Sequence, residues 1–173
     1  MKNESSKKIL LAVDASNNAL EAIRYASKAA LFQEMEGVLF SVYSKTPEYY
    51  WDLEMHSQSD HQMIQEIKAL EMKQEKTLQE FMQKAKQILV DAKFPEKALT
   101  VNIHARETGI ARDIVKEAQR GYSAVVIGRK GLSELKDLVL GSVSTKLLET
   151  LEFVPLLVVG ENPQVGKVLV ALD

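Results

Sequence analysis

The residues best suited to chemistry fall in one stretch, Gly128 to Ser144, which reads GRKGLSELKDLVLGSVS. It follows Ala124-Val125-Val126-Ile127, a continuous apolar run of the kind that forms a parallel strand buried on both faces. It leads into Val143, Leu147 and Leu151, whose four-residue steps predict a helix. The glycines therefore stand where a strand hands over to a helix. Gly128 and Gly131 permit a positive φ and a close approach of the backbone to a ligand. Gly141 and Ser142 stand at the predicted helix start, where unpaired N–H groups and the positive end of the helix dipole favour an anion. The chemistry this suits is phosphate binding by main-chain donors. The same pattern also fits a glycine-rich turn with a serine N-cap.

A second place where chemistry can occur is the end of the first strand. Ile9 to Val13 is another continuous apolar run, and it stops at Asp14. Ligands of open α/β sheets bind outside the carboxyl ends of strands, and Asp14 sits at such an end. Ser16 or Asn17 can cap the helix that follows. Asp14 is the only obvious carboxylate of this region, and no residue pair compels a reading as a proficient catalyst. His56 and His61 lie five apart, but no other ligand type converges with them, so they are read as surface residues rather than a metal site.

Elements of ordinary kind must position these residues. Leu20, Ile23 and Ser27, with Ala19, Ala26 and Ala30, give the first helix a small-residue inner face. Gly37 breaks the chain, and Val38 to Tyr43 predicts the second strand. Residues 44–60 are irregular in pattern. From about Gln62 to Ala92 the pattern is helical, through Ile64, Ile67, Leu70, Leu78, Phe81, Ala85 and Ile88. That helix is longer than a small sheet needs, so its first part should overhang, kink or serve a contact. Leu99 to Ile103 alternates as a third strand, and Ile110, Ile114 and Ala118 mark a helix face that Gly121 closes. Leu156 to Val159 is a fifth strand. Strands and helices alternate, and right-handed crossovers make this a parallel, doubly wound α/β sheet.

Composition narrows the function classes. The chain has 173 residues, 46% hydrophobic and 27% charged, enough for one soluble domain with a sizeable core. A net charge of −2 implies no basic face for nucleic acid. No apolar run reaches membrane-spanning length, and MKNESSKK lacks an apolar signal core. The absence of cysteine removes disulfides, thiolate metal sites and thiol catalysis, and fits a reducing compartment. A cytoplasmic protein is expected.

The spacing Gly128-x2-Gly131-x9-Gly141-Ser142 resembles the nucleotide loop of the ATP-binding branch of the universal stress protein family. It is neither a Walker A loop nor a dinucleotide GxGxxG. The resemblance extends to KILLAVDAS at the chain start, where Asp14 and Ser16 match a Val-Asp-x-Ser signature, and to VPLLVVG near the end. Several expectations follow from it. The fold would be a five-stranded parallel sheet of order 3-2-1-4-5, a Rossmann-like, adenine nucleotide alpha hydrolase-like fold. The ligand would be ATP, or AMP or ADP, with Mg2+ or Mn2+ as counter-ion. Ala12, Val13 and Asp14 would lie along adenosine, with the backbone at Val42 on the adenine edge; for the Val42 side chain alone, a core role is the simpler reading. Gly128 and Arg129 would lie near the ribose. Gly131, Gly141, Ser142, Val143 and Ser144 would hold phosphates through backbone N–H and hydroxyl groups. The role implied is a nucleotide-dependent stress-response module, with a slow ATP hydrolase or a nucleotide-free dimerisation module as alternatives. The resemblance also implies a homodimer through the last strand, Leu156, Leu157, Val158 and Val159.

The domain is expected over residues 7–162, after a loose arm at 1–6. Residues 167–173, KVLVALD, repeat the pattern of residues 8–14, KILLAVD. The stretch 163–173 therefore reads as a linker and the first strand of a second copy of the domain.

Overall fold

The computed structural model describes residues 7–46, 58–131 and 140–163, without the side chains of 58–60. The arm, the aromatic segment that contains His56, eight residues of the glycine loop and the repeat-like KVLVALD lie outside the described residues.

The apolar runs form strands β1 (Lys8–Ala12), β2 (Glu36–Tyr43), β3 (Leu99–Ala105), β4 (Ala124–Gly128) and β5 (Leu156–Val159). They pair in parallel in the order β3-β2-β1-β4-β5, as the resemblance implied. Between them run α1 (Asn17–Lys28), the single turn α2 (Ala30–Gln33), α3 (Gln58–Asp91), α4 (Ile110–Ala118) and α5 (Ser142–Thr150).

Period-two alternation sorts the strand residues onto two buried faces. Ile9, Leu11, Val13, Leu39 and Val126 pack with Ala19, Ala22, Ile23 and Ala26 of α1 and with Met82, Ala85 and Leu89 of α3. Leu10, Ala12, Phe40, Val42, Val125 and Ile127 pack with Ile114 and Ala118 of α4, with Leu147 of α5 and with Leu151 at its C-cap. Helices on both faces make the sheet doubly wound. Continuous apolar strands such as Ile9–Leu11 and Val125–Val126 are the consequence of that double coverage.

Two expectations need correction. Gly37 does not break the chain; it lies inside β2, where a Cβ would come within 2.7 Å of Leu99 Cδ2, so the glycine answers a close contact between neighbouring strands. Ala30 is not on the inner face of α1, because that helix ends at Lys28 and Ala30 is exposed at the start of α2. The first part of α3 overhangs, one of the outcomes its length implied: Leu70 continues the apolar period yet is 66% exposed, since α3 outruns the sheet and its first half finds little to cover it among the described residues.

Candidate functional site

In a sheet of this order the chain reverses direction of travel between β1 and β4, and the crevice for a ligand opens beyond their carboxyl ends. Ala12 of β1 pairs with Ile127 of β4, so Asp14 and Gly128 leave the sheet side by side. Ser16 is the N-cap of α1: its hydroxyl oxygen accepts the Ala19 N–H at 3.0 Å. The sharp exit from β1 puts Ala15 at φ 63°, and Asp14 steadies it by accepting the Ser16 N–H on Oδ1 at 3.2 Å.

The three glycines are each explained by what stands over them. A Cβ on Gly128 would come within 2.7 Å of the Asn18 carbonyl carbon and 2.9 Å of Ala19 N, so Gly128 lets the first turn of α1 lie on the end of β4. A Cβ on Gly131 would come within 2.3 Å of Asp14 Oδ2, which brings the β1 exit into contact with the loop after β4. A Cβ on Gly141 would lie 3.4 Å from both Gly131 N and Lys130 Cα. Among the described glycines only Gly109 and Gly121 have positive φ. The expected positive φ at Gly128 and Gly131 is therefore absent; these glycines serve close approach instead.

The loop closes on itself through main-chain bonds. Gly141 N–H donates to Arg129 O at 3.0 Å, and Arg129 N–H donates to Val159 O at 2.8 Å, tying the start of α5 to the end of β5. Gly141, not a serine, is the N-cap of α5, and no side chain caps it. The N–H groups of Ser142, Val143 and Ser144 thus belong to a first turn with no side-chain acceptor at its cap, the arrangement that suits an anion.

Other expected groups are used differently. The Ser144 hydroxyl is buried and donates to Gly128 O at 3.0 Å, so Ser144 has only its backbone N–H to offer a ligand. Ser142 is exposed at the helix start. The Arg129 side chain runs past Gly160 to Glu161, with Nη2 3.5 Å from Oε1, and is not gathered at Asp14. Val42 is buried on the face it shares with Ala12, as a core valine. Phe40 O accepts the Val13 N–H, and main-chain groups alternate in direction along a strand, so Val42 turns its backbone polar groups toward the β1 side, beyond the end of β1. Ala12 and Val13 are buried beside it.

One positioning residue had not been singled out from the sequence. Asp113, 3% exposed in the first turn of α4, accepts the Glu107 N–H at 2.9 Å, the Thr108 N–H at 3.1 Å and the Thr108 hydroxyl at 2.7 Å. It fixes the β3–α4 turn at the same end of the sheet. Burial alone would raise its pKa, but the hydrogen bonds from Thr108, Glu107 and Gly109 outweigh that and hold the carboxyl below its ordinary value. An acidic residue in a helix's first turn after a Thr-Gly pair was the available signal. A cleft between β3 and α4 is lined by Phe40, Asn102, His104, Glu107, Lys116 and Arg120, and none of the described glycine-loop residues lines it. Its charges are paired, Glu107 with Lys116 at 2.8 Å and with His104 at 3.2 Å.

Comparison with known proteins agrees with this architecture. The model of the universal stress protein family matches residues 5–160. No curated protein matches the chain. Among solved structures, the hypothetical protein MJ0577 is 22% identical with a TM-score of 0.63, over 92% of this chain and 99% of its own. Universal stress protein UspA from Lactobacillus plantarum is 19% identical with a TM-score of 0.64, over 91% and 99%. A universal stress protein solved in complex with cAMP is 14% identical with a TM-score of 0.57, over 90% and 97%. At these identities the likeness to solved structures is one of fold.

Proposed function

The chain belongs to the universal stress protein family, and on that premise we propose that it binds an adenine nucleotide, ATP or its AMP or ADP counterpart, as a nucleotide-dependent regulatory module. The observation that carries the proposal is the α5 start. Its first turn has no side-chain cap, its N-cap Gly141 packs on Gly131, and Gly131 packs on Asp14 at the topological switch point. A main-chain anion site beside a strand-end carboxylate would suit the phosphates and ribosyl base of one nucleotide. A relative bound to cAMP supports an adenine nucleotide as the ligand class. In this reading Gly131, Gly141, Ser142, Val143 and Ser144 meet phosphate through main-chain N–H groups, while Ala12, Val13, Asp14, Gly128 and the backbone of Val42 and Arg129 line the nucleoside. Each charge-assisted bond from a main-chain N–H to phosphate contributes about 1.5–3 kcal/mol. Chromatography of the small molecules released when the purified protein is denatured tests the ligand class. An adenine nucleotide near one per chain is expected, and a different cofactor there would overturn the proposal.

Self-association through β5 belongs to the same reading. Among the described residues this strand is a sheet edge with Leu156, Leu157 and Val158 partly exposed, and Leu148 and Phe153 add 50% and 52% exposed apolar side chains close to it in sequence. An apolar edge of this kind is satisfied by pairing with a second copy across a two-fold axis.

A further inference from the structure

We propose that the overhanging first half of α3 is a surface for a second copy of this chain, paired antiparallel along one helical seam. This contact is separate from the β5 edge and independent of the nucleotide reading.

The seam comes first. Met63, Ile67, Leu70 and Gln74 follow one another at steps of four, three and four, the spacing at which two helices interlock side chains. At about 100° per residue they share one stripe about 60° wide. Met63 and Leu70 are more than half exposed, with Ile67 half-buried between them in sequence. Glu71, beside Leu70, accepts the Thr46 N–H, so that flank of the helix turns to the chain's own body. Burial against the core begins only at Leu78 and continues through Met82, Ala85 and Leu89. Roughly 20 residues of helix before it, about 30 Å, therefore have little cover among the described residues.

Charge selects the occupant and its direction. Glu66 and Lys73 are exposed on one side of the seam, next to Ile67 and Gln74. Consider an antiparallel pair about a two-fold axis between Lys68 and Ala69. Ile67 then meets Leu70 of the second copy, and Met63 meets its Gln74. The same register sets Glu66 against Lys73 of the second copy, twice over by symmetry. A parallel pair sets Glu66 beside Glu71 of the second copy instead, and like charges oppose it. It also brings both bodies to the same end. The antiparallel axis lies near the middle of the overhang, so two overhangs cover each other while each body stays at its own end. Polar Gln74 in the seam weakens the contact and holds its register. A contact of so few turns is weak and depends on concentration.

Amide hydrogen exchange of the whole chain tests this, read along α3 at two protein concentrations. Wild type at about 5 micromolar is expected to exchange freely over residues 61–77, and about fivefold or more slowly at about 500 micromolar. Glu66→Lys alone and Lys73→Glu alone set like charges across the pair, and each is expected to lose that slowing. An equimolar mixture of the two variants restores both opposite pairs and is expected to recover it. Both positions are exposed, so protection over Met82 to Leu89 reports an intact fold and is expected to stay constant. The readout is local to α3, so association through β5 does not produce it. Exchange over the first half that ignores concentration overturns the proposal, because any cover is then the chain's own. So does slowing that survives in either single variant, or a mixture that behaves as its components do. Slowing increased by Glu66→Lys overturns the antiparallel direction in favour of a parallel pair.

Discussion

At the scale of the residue, the glycines and Asp113 carry different duties that their substitution separates. A methyl on Gly128 meets main-chain atoms of Asn18 and Ala19 at 2.7–2.9 Å, and main chain cannot step aside. Gly128→Ala is expected to destabilise the fold by about 1–3 kcal/mol, measurable by chemical denaturation. Gly141→Asp leaves the sheet untouched and brings negative charge to the α5 start, so it should abolish ATP binding with little change in unfolding midpoint. A large stability loss without loss of binding would reverse these assignments. Asp113 predicts an acid limb. Its folded pKa is depressed, so its contribution to stability is present above the unfolded value, about 3.9, and is lost as pH falls through the folded value. Asp113→Ala, which leaves two backbone donors and a hydroxyl without their carboxylate acceptor, is expected to cost about 1–3 kcal/mol at neutral pH. The difference from wild type should narrow as pH falls below the ordinary carboxylate range, checked by urea unfolding across the acid range. The positions of the glycines were legible in the sequence; their reasons were not. Contact between Gly128 and the first turn of α1, or between Gly131 and Asp14, joins residues more than a hundred apart, and no local pattern encodes it.

At the scale of the element, strands and helices were legible because burial on two faces writes itself as unbroken apolar runs and four-residue steps. All five strands lie where the apolar runs predicted them, with ends shifted by a residue or two where pairing continues past the last apolar side chain, as at His104 and Ala105 of β3. Periodicity fails where a helix outruns its partner. In α3, Leu78, Met82, Ala85 and Leu89 are buried, while Met63, Leu70 and Met72 keep similar spacing and stand in solvent. Leu89→Ala should therefore cost about 2–5 kcal/mol. Leu70→Ser should fall within about 0.5 kcal/mol of wild type. Amide exchange should likewise be faster over the first half of α3 than over the second. Equal protection along the helix would mean that a cover exists over its first half.

At the scale of the whole molecule, the strand order brings two motifs far apart in the chain to one crevice. That order was implied by the family resemblance, whereas strand–helix alternation alone required only a parallel sheet. Among the described residues the same order leaves β5 at an edge with apolar side chains partly exposed, and a dimer is expected at micromolar concentration by light scattering. Phe153→Lys should weaken it, and a wild-type monomer under those conditions would contradict the β5 proposal. The measurement that bears most directly on the central claim is calorimetric titration of ATP, with Mg2+ present, into nucleotide-free wild type and Gly131→Val. One saturable site is expected in wild type at micromolar affinity or tighter, about −8 kcal/mol or better, and is expected to be lost in the variant. No saturable heat with wild type, or the same affinity in Gly131→Val, would contradict it.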